Sequence, residues 1–284
     1  MTGNLIKIDA EMDQLVSAFS NDDLDALMKM SGQSEQSSNK GLPRLNINYQ
    51  EESDDGHTLK RGTWRLSNDG EFLYAPEVYI RPILRTFEWS TWDQEQGTFA
   101  SKSVQKPTLN GDFPDSSGTD KCGRLPREQE EAMEKDDPAF IRSRSATCNQ
   151  VIYGVISGKF TKADGTKTDV EETPFVSYFK KSGFIPMRTF IDNLTKQRKI
   201  MQRCNILLRT DKKKMGAANY WVPVPTLAGE VDITENDKEV MKVFAEIVKS
   251  HNDNIMNQHR ESMKLVESED IIDLADDFED AIAS

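Results

Sequence analysis

At 284 residues, the chain amounts to one large domain or two small ones at the usual ~150 residues each. With 36% hydrophobic and 30% charged residues and a mean hydropathy of -0.65, it has no run near the ~18 apolar residues of a membrane-spanning helix. The net charge of -12 argues against a nucleic-acid partner only if it is spread evenly, and it is not.

Residues 1–57 read as an acidic helical arm and linker. Ile8, Met12, Leu15, Val16 and Phe19 recur at helical spacing, and the opening MTGNLIKIDAEMDQL has no apolar core of a secretion signal. Ser20 and Asp23 form a capping-box pattern ahead of Leu24, Leu27 and Met28, and the polar stretch Ser31 to Gly41 follows as a linker.

Residues 58–228 read as a β-rich core. Trp64, Phe72, Tyr74, Val78, Tyr79, Ile80, Ile83, Phe87, Trp89 and Trp92 crowd one region, with a turn at Ser67 to Gly70. Pro76 and Pro82 push that region toward edges or bends. Phe99 to Val104 alternates again, residues 105–127 make a long Pro/Gly-rich connection, and Glu128 to Asp137 is a short charged helix ended by Pro138. Residues 149–160 and Thr173 to Lys180 are strands joined through Asp164–Gly165. A helix from Pro186 sets Met187, Phe190, Ile191, Leu194 and Met201 against a basic side, Arg188, Lys196, Arg198, Lys199 and Arg203. Asn205 to Thr210 and Tyr220 to Val224 form a hairpin with the basic tip DKKKMGAAN. Thr234 and Asp237 cap a long helix within 229–266, striped by Val240, Val243, Phe244, Ile247, Val248, His251 and Ile255. Residues 267–284 close the chain as a disordered acidic tail. The fold class is α+β, a β-barrel or sandwich with inserted helices and a long C-terminal helix.

No catalytic constellation emerges. His57 follows the acidic EESDDG, and His251 and His259 stand eight apart on one helix, where zinc ligands would stand three or four apart. Phosphate-loop, dinucleotide, serine-elbow and HExxH patterns are missing. Cys122, Cys148 and Cys204 form no CxxC pair and read as reduced cytoplasmic thiols; Cys122 has no neighbour that would make it a nucleophile. The reading is a non-enzyme with no cofactor and no metal.

The charge pattern is more informative. Residues 267–284 carry eight acids and no base, whereas 173–216 carry eleven bases and two acids. Single-strand binding takes a cationic groove plus aromatic faces for stacking. Tyr74, Tyr79, Trp89 and Trp92 stand nearest the basic residues and are the stacking candidates. Arg65, Arg81, Arg85, Lys180, Lys181, Arg198, Lys199, Lys212, Lys213 and Lys214 are the phosphate candidates. Aromatics at period two also serve as β core, so each ring carries both readings. Within the tail, Ile271, Ile272, Leu274, Phe278 and Ile282 lie among acids, the pattern of a segment that folds onto a basic, apolar partner surface. A tethered polyanion also competes with phosphates for the same groove.

An aromatic-rich basic β core with a tail such as LADDFEDAIAS resembles the bacteriophage single-stranded DNA-binding, or helix-destabilising, proteins. The resemblance implies an OB-like barrel, a role in DNA replication and recombination in the host cytoplasm, and single-stranded DNA as ligand. It also implies that Asp273, Asp276, Asp277, Phe278, Glu279 and Asp280 recruit replication proteins, the polymerase and primase-helicase. The rival reading is a viral structural or assembly protein that contacts other proteins, or copies of itself, through its helices.

Overall fold

The computed structural model describes residues 41–68, 70–93 and 98–283, with side chains at the C-terminal end described to Leu265. The helical arm expected over residues 1–40 therefore lies outside the described residues. Chain order gives β1 (Arg44–Ile47), β2 (Trp64–Asn68), β3 (Glu71–Ala75), β4 (Val78–Asp93), β5 (Thr98–Lys102), α1 (Arg127–Ala132), α2 (Pro138–Ser145), β6 (Thr147–Lys162), β7 (Lys167–Lys180), α3 (Phe184–Lys196), β8 (Cys204–Met215), β9 (Ala218–Glu230) and α4 (Glu235–Ala283).

Local chemistry explains several of these boundaries. The β6–β7 hairpin turns at Gly165, which has a positive φ of 88°, while the Asp164 carboxylate accepts from the Thr166 amide at 2.8 Å. Pro138 does not stop the chain's helical run as expected. It sits in the first turn of a second helix, α2, where a missing N–H costs nothing, and Asp137 caps it by accepting from Ala139 N. At the start of α4, Thr234 N donates to Asp237 Oδ2 at 2.7 Å and Asp237 N donates to Thr234 Oγ1 at 3.2 Å, the reciprocal pair that the Thr-x-x-Asp spacing predicts.

The strands form one continuous sheet that curls into a barrel. The order β3-β2-β1-β7-β6 closes on itself because β6 pairs with β3 as well as with β7, giving a five-stranded ring. β1 thus belongs to the barrel, although the sequence reading assigns its residues to the arm. β3 and β4 succeed one another along the same edge of β6, broken at Pro76 and Glu77. Where β4 bulges at Ile83, β6 presents Gly154. A Cβ there would meet the Arg81 carbonyl oxygen at 2.3 Å, so only glycine permits the close approach. On the other side of β4, β8 returns to pair antiparallel with it and carries β9. The run β8-β4-β6-β7 therefore has a Greek-key order, with α3 on the long connection.

Leu45, Trp64, Ile80, Ile152, Phe160, Phe175, Phe179, Ile206 and Leu208 fill the interior, and Met187, Ile191 and Leu194 of α3 plug one end. Each such fully buried side chain contributes about 1.5–3 kcal/mol by area. Trp64 Nε1 donates to the Leu208 carbonyl at 3.0 Å, tying the ring of strands to β8. Helix α4 lies along the outer face of β4 and β6: Asp237 pairs with Arg81, the Phe244 ring packs on Tyr153 at 5.6 Å, and Asn252 brackets the Gln105 backbone. Val243 departs from the expected stripe and is 52% exposed. The spacing 237–244–251 and 248–255–259 leaves it one position off the seam. The molecule is thus an α+β barrel with appended strands and four described helices. Over 267–283, where the sequence reading expects a disordered tail, the backbone continues α4, while the side chains there, including the candidate tail residues Asp273, Asp276, Asp277, Phe278, Glu279 and Asp280, lie outside the described residues.

Candidate nucleic-acid interface

β1 pairs along one edge with β2 and along the other with β7, while β9 pairs with β8 alone. In β9, Pro223 and Pro225 stand two apart. Their missing N–H groups therefore face the same edge, and the unbroken ladder with β8 requires it to be the far one. That edge of β9 therefore offers few donors to a further strand. Between β9 and the β1–β7 side of the barrel lies a groove of about 490 Å3, lined by residues 45–49 of the β1 side, by Arg65, by 177–183 of β7 and the start of α3, and by Trp221 and Pro223 of β9.

Aromatic and cationic groups meet along this groove. Tyr49, 48% exposed, stands edge-on to Trp221 with ring centroids 5.7 Å apart, and its hydroxyl donates to the Trp221 carbonyl at 3.2 Å. Trp221 lies against Gly62, whose φ is 79°; a Cβ there would meet Trp221 Nε1 at 2.1 Å. Lys212 lies opposite Trp221 in the β8–β9 ladder, and its ammonium sits 5.8 Å from the indole centroid. Lys180 and Lys181 are exposed on the β7 side, Arg44 covers the Tyr178 ring at 5.5 Å, and Arg65 donates to Gln50 Oε1 while its guanidinium covers Phe72 at 4.9 Å. Burial pushes the Tyr178 hydroxyl up to about 12, so it stays a neutral hydrogen-bonding group at physiological pH. Such a groove offers aromatic faces and fixed positive charge, and no Asp, Glu, His or Cys is among its described lining residues.

The expected site residues divide sharply. Arg65, Lys180, Lys181 and Lys212 come together at the groove, with Lys214 farther along the same ribbon face as Lys212. Tyr74 is 9% exposed, and burial raises its hydroxyl, so it is a core residue and not a stacking face. Arg81 is 8% exposed and held by Asp237 at 2.6 Å and Glu172 at 3.4 Å; its charge is spent inside the fold. Arg85 points inward to Asp192 at 3.1 Å and to Gln150, and burial lowers its affinity for the proton against the pull of Asp192. Lys199 is bonded to Glu230, and Lys213 pairs with Asp211 at 2.6 Å. Arg198 is exposed beyond the end of α3. Tyr79 is 39% exposed but lines a different hollow whose acids, Glu77, Asp169 and Glu171, outnumber its lysine, Lys159. Trp89 packs beside Phe87 and against Gly123, half-buried. Trp92, 46% exposed, meets Phe99 edge-on at 6.3 Å on the β4–β5 hairpin.

Tyr49, Trp221, Tyr178 and Arg44 are absent from the sequence-based candidates. For Trp221 a signal existed: counting outward from the turn at Gly216 places it opposite Lys212. Cys122 and Cys204 are buried and Cys148 is half-buried. Burial pushes the Cys148 thiol up to about 12 and the Cys122 thiol higher still, which removes the thiolate a nucleophile needs. Among the described residues, no group of three His, Cys, Asp or Glu side chains is placed to hold a metal ion, and no helix is long and apolar enough to cross a membrane. Against protein-family models, curated proteins and solved structures, the chain gives no match.

Proposed function

We propose that this protein binds single-stranded nucleic acid, single-stranded DNA in replication or recombination, without catalysing a reaction on it. The observation that carries the reading is the groove between β9 and the β1–β7 side of the barrel. There Tyr49 and Trp221 present rings beside Arg65, Lys180, Lys181 and Lys212, the two ingredients of sequence-tolerant strand binding. Supporting it, a closed five-stranded barrel with the Greek-key order β8-β4-β6-β7 and β9 beyond β8 is consistent with an OB-like arrangement. The acidic segment 267–284 completes the proposal as the part that recruits replication proteins, as in the bacteriophage proteins the sequence resembles, and that competes with DNA for the basic groove.

Titrating oligo-dT at low salt tests this directly. Binding quenches the fluorescence of Trp221, and Tyr49→Ala or Lys181→Ala weakens binding while the fold persists. Unchanged fluorescence and no shift in oligonucleotide anisotropy refute the reading.

A further inference from the structure

Beyond the groove, β8 and β9 continue as a two-stranded ribbon. β8 pairs with the barrel strand β4 only over Ile206 to Leu208, so from Arg209 to Met215 its ladder partner is β9 alone, a reach of about 20 Å at ~3.3 Å per residue. Register sorts the side chains by face. Lys212 and Lys214 share one face with Trp221 and Asn219, and Lys213 shares the other with Asp211 and Tyr220. Lys213 is paired by Asp211, which leaves Lys212 and Lys214 as the charge of the face continuous with the groove. At the tip, Met215 is 72% exposed, the most exposed large hydrophobic among the described residues, next to the turn glycine Gly216.

We infer that this ribbon engages duplex nucleic acid at a junction between double and single strand, placing the duplex beside the strand held in the groove. The inference rests on the proposed single-strand reading of that groove. A two-stranded β-ribbon fits the major groove of B-DNA, lysines at its flanks neutralise phosphates, and an unbranched apolar side chain such as methionine at a tip serves as a wedge between base steps. Continuity decides the partner: Lys212 sits over the ring that walls the groove, so a strand stacked on Trp221 leads directly onto the ribbon face.

The test compares the affinity of the full chain for labelled oligo-dT with its affinity for the same oligo-dT joined to a hairpin duplex stem. The stem is expected to raise affinity on the order of tenfold or more, because the second contact is intramolecular. The variant Met215→Glu, at the exposed tip and outside the groove lining, is expected to lose that gain while its oligo-dT affinity stays as in the parent. The inference is overturned if the stem adds nothing, if the gain survives in the variant, or if the variant keeps the gain yet loses co-sedimentation with phosphatidylserine vesicles, which assigns the ribbon to a lipid surface. If oligo-dT alone does not bind but the stem binds in a ribbon-dependent way, the groove reading and the junction geometry fall and only the ribbon's contact with duplex stands.

Discussion

Gly62→Ala moves the Trp221 indole without removing it, and so isolates what that ring does. The added methyl would lie 2.1 Å from Nε1 and 2.3 Å from Cδ1, and the backbone at φ 79° disfavours any side chain. Left-handed backbone costs an alanine about 1–2 kcal/mol, and losing the edge-on contact with Tyr49 costs about 0.5–1.5 kcal/mol more. The expected destabilisation is therefore about 2–3 kcal/mol, which denaturant unfolding reads. Displacing one stacking ring costs a further 1–3 kcal/mol per base, or about a 5- to 150-fold loss of oligo-dT affinity. No charge is removed, so the slope of log affinity against log salt stays where it was. Anisotropy titrations at several salt concentrations check both numbers. Parent-like affinity in a variant whose tryptophan emission has shifted would refute the assignment of Trp221 as a stacking face.

Lys181→Ala should lower affinity too but, unlike Gly62→Ala, reduce the single-strand salt slope by about 0.7, the value of one phosphate contact. Tyr74→Phe, at a buried ring, leaves oligonucleotide affinity unchanged; a loss of binding in a fully folded variant contradicts its placement in the core. Asp237 predicts a pH dependence: its hydrogen bond from Arg81, working against burial, holds its carboxyl at about 2 against an ordinary 3.8. A depressed carboxylate stabilises the fold above its unfolded value and loses that contribution as pH falls from about 4 through 2, about 2 kcal/mol in all. Asp237→Asn lacks this acid-labile component and is less stable at neutral pH by about 3 kcal/mol, since Arg81 stays buried with only the mostly exposed Glu172 beside it. Denaturant midpoints from pH 2 to 7 test both statements.

Features set by neighbouring residues were legible in the sequence. The Asp164–Gly165 turn, the Thr234/Asp237 cap, the buried strand over 149–160 and the basic ribbon tip each depend on groups only a few positions apart, where propensity and hydrogen bonding act directly. The fate of each ring and cation was not, because it depends on distant partners. Arg81 reads as an exposed basic residue until Asp237, which lies beyond eight further elements, arrives on α4 to pair with it. Period-two alternation implies one wet face, yet the outer face of β6 is covered by α4, so Tyr153 is as buried as the interior residues. The groove joins Tyr49 to Trp221, 172 positions apart, and no local window contains both.

Pro223 and Pro225 make the far margin of β9 a dead end for further strands. Two missing donors in register deny that margin to foreign extended chains, so the sheet stops there rather than templating self-association. Resistance to clumping thus comes from one chemical omission, repeated twice.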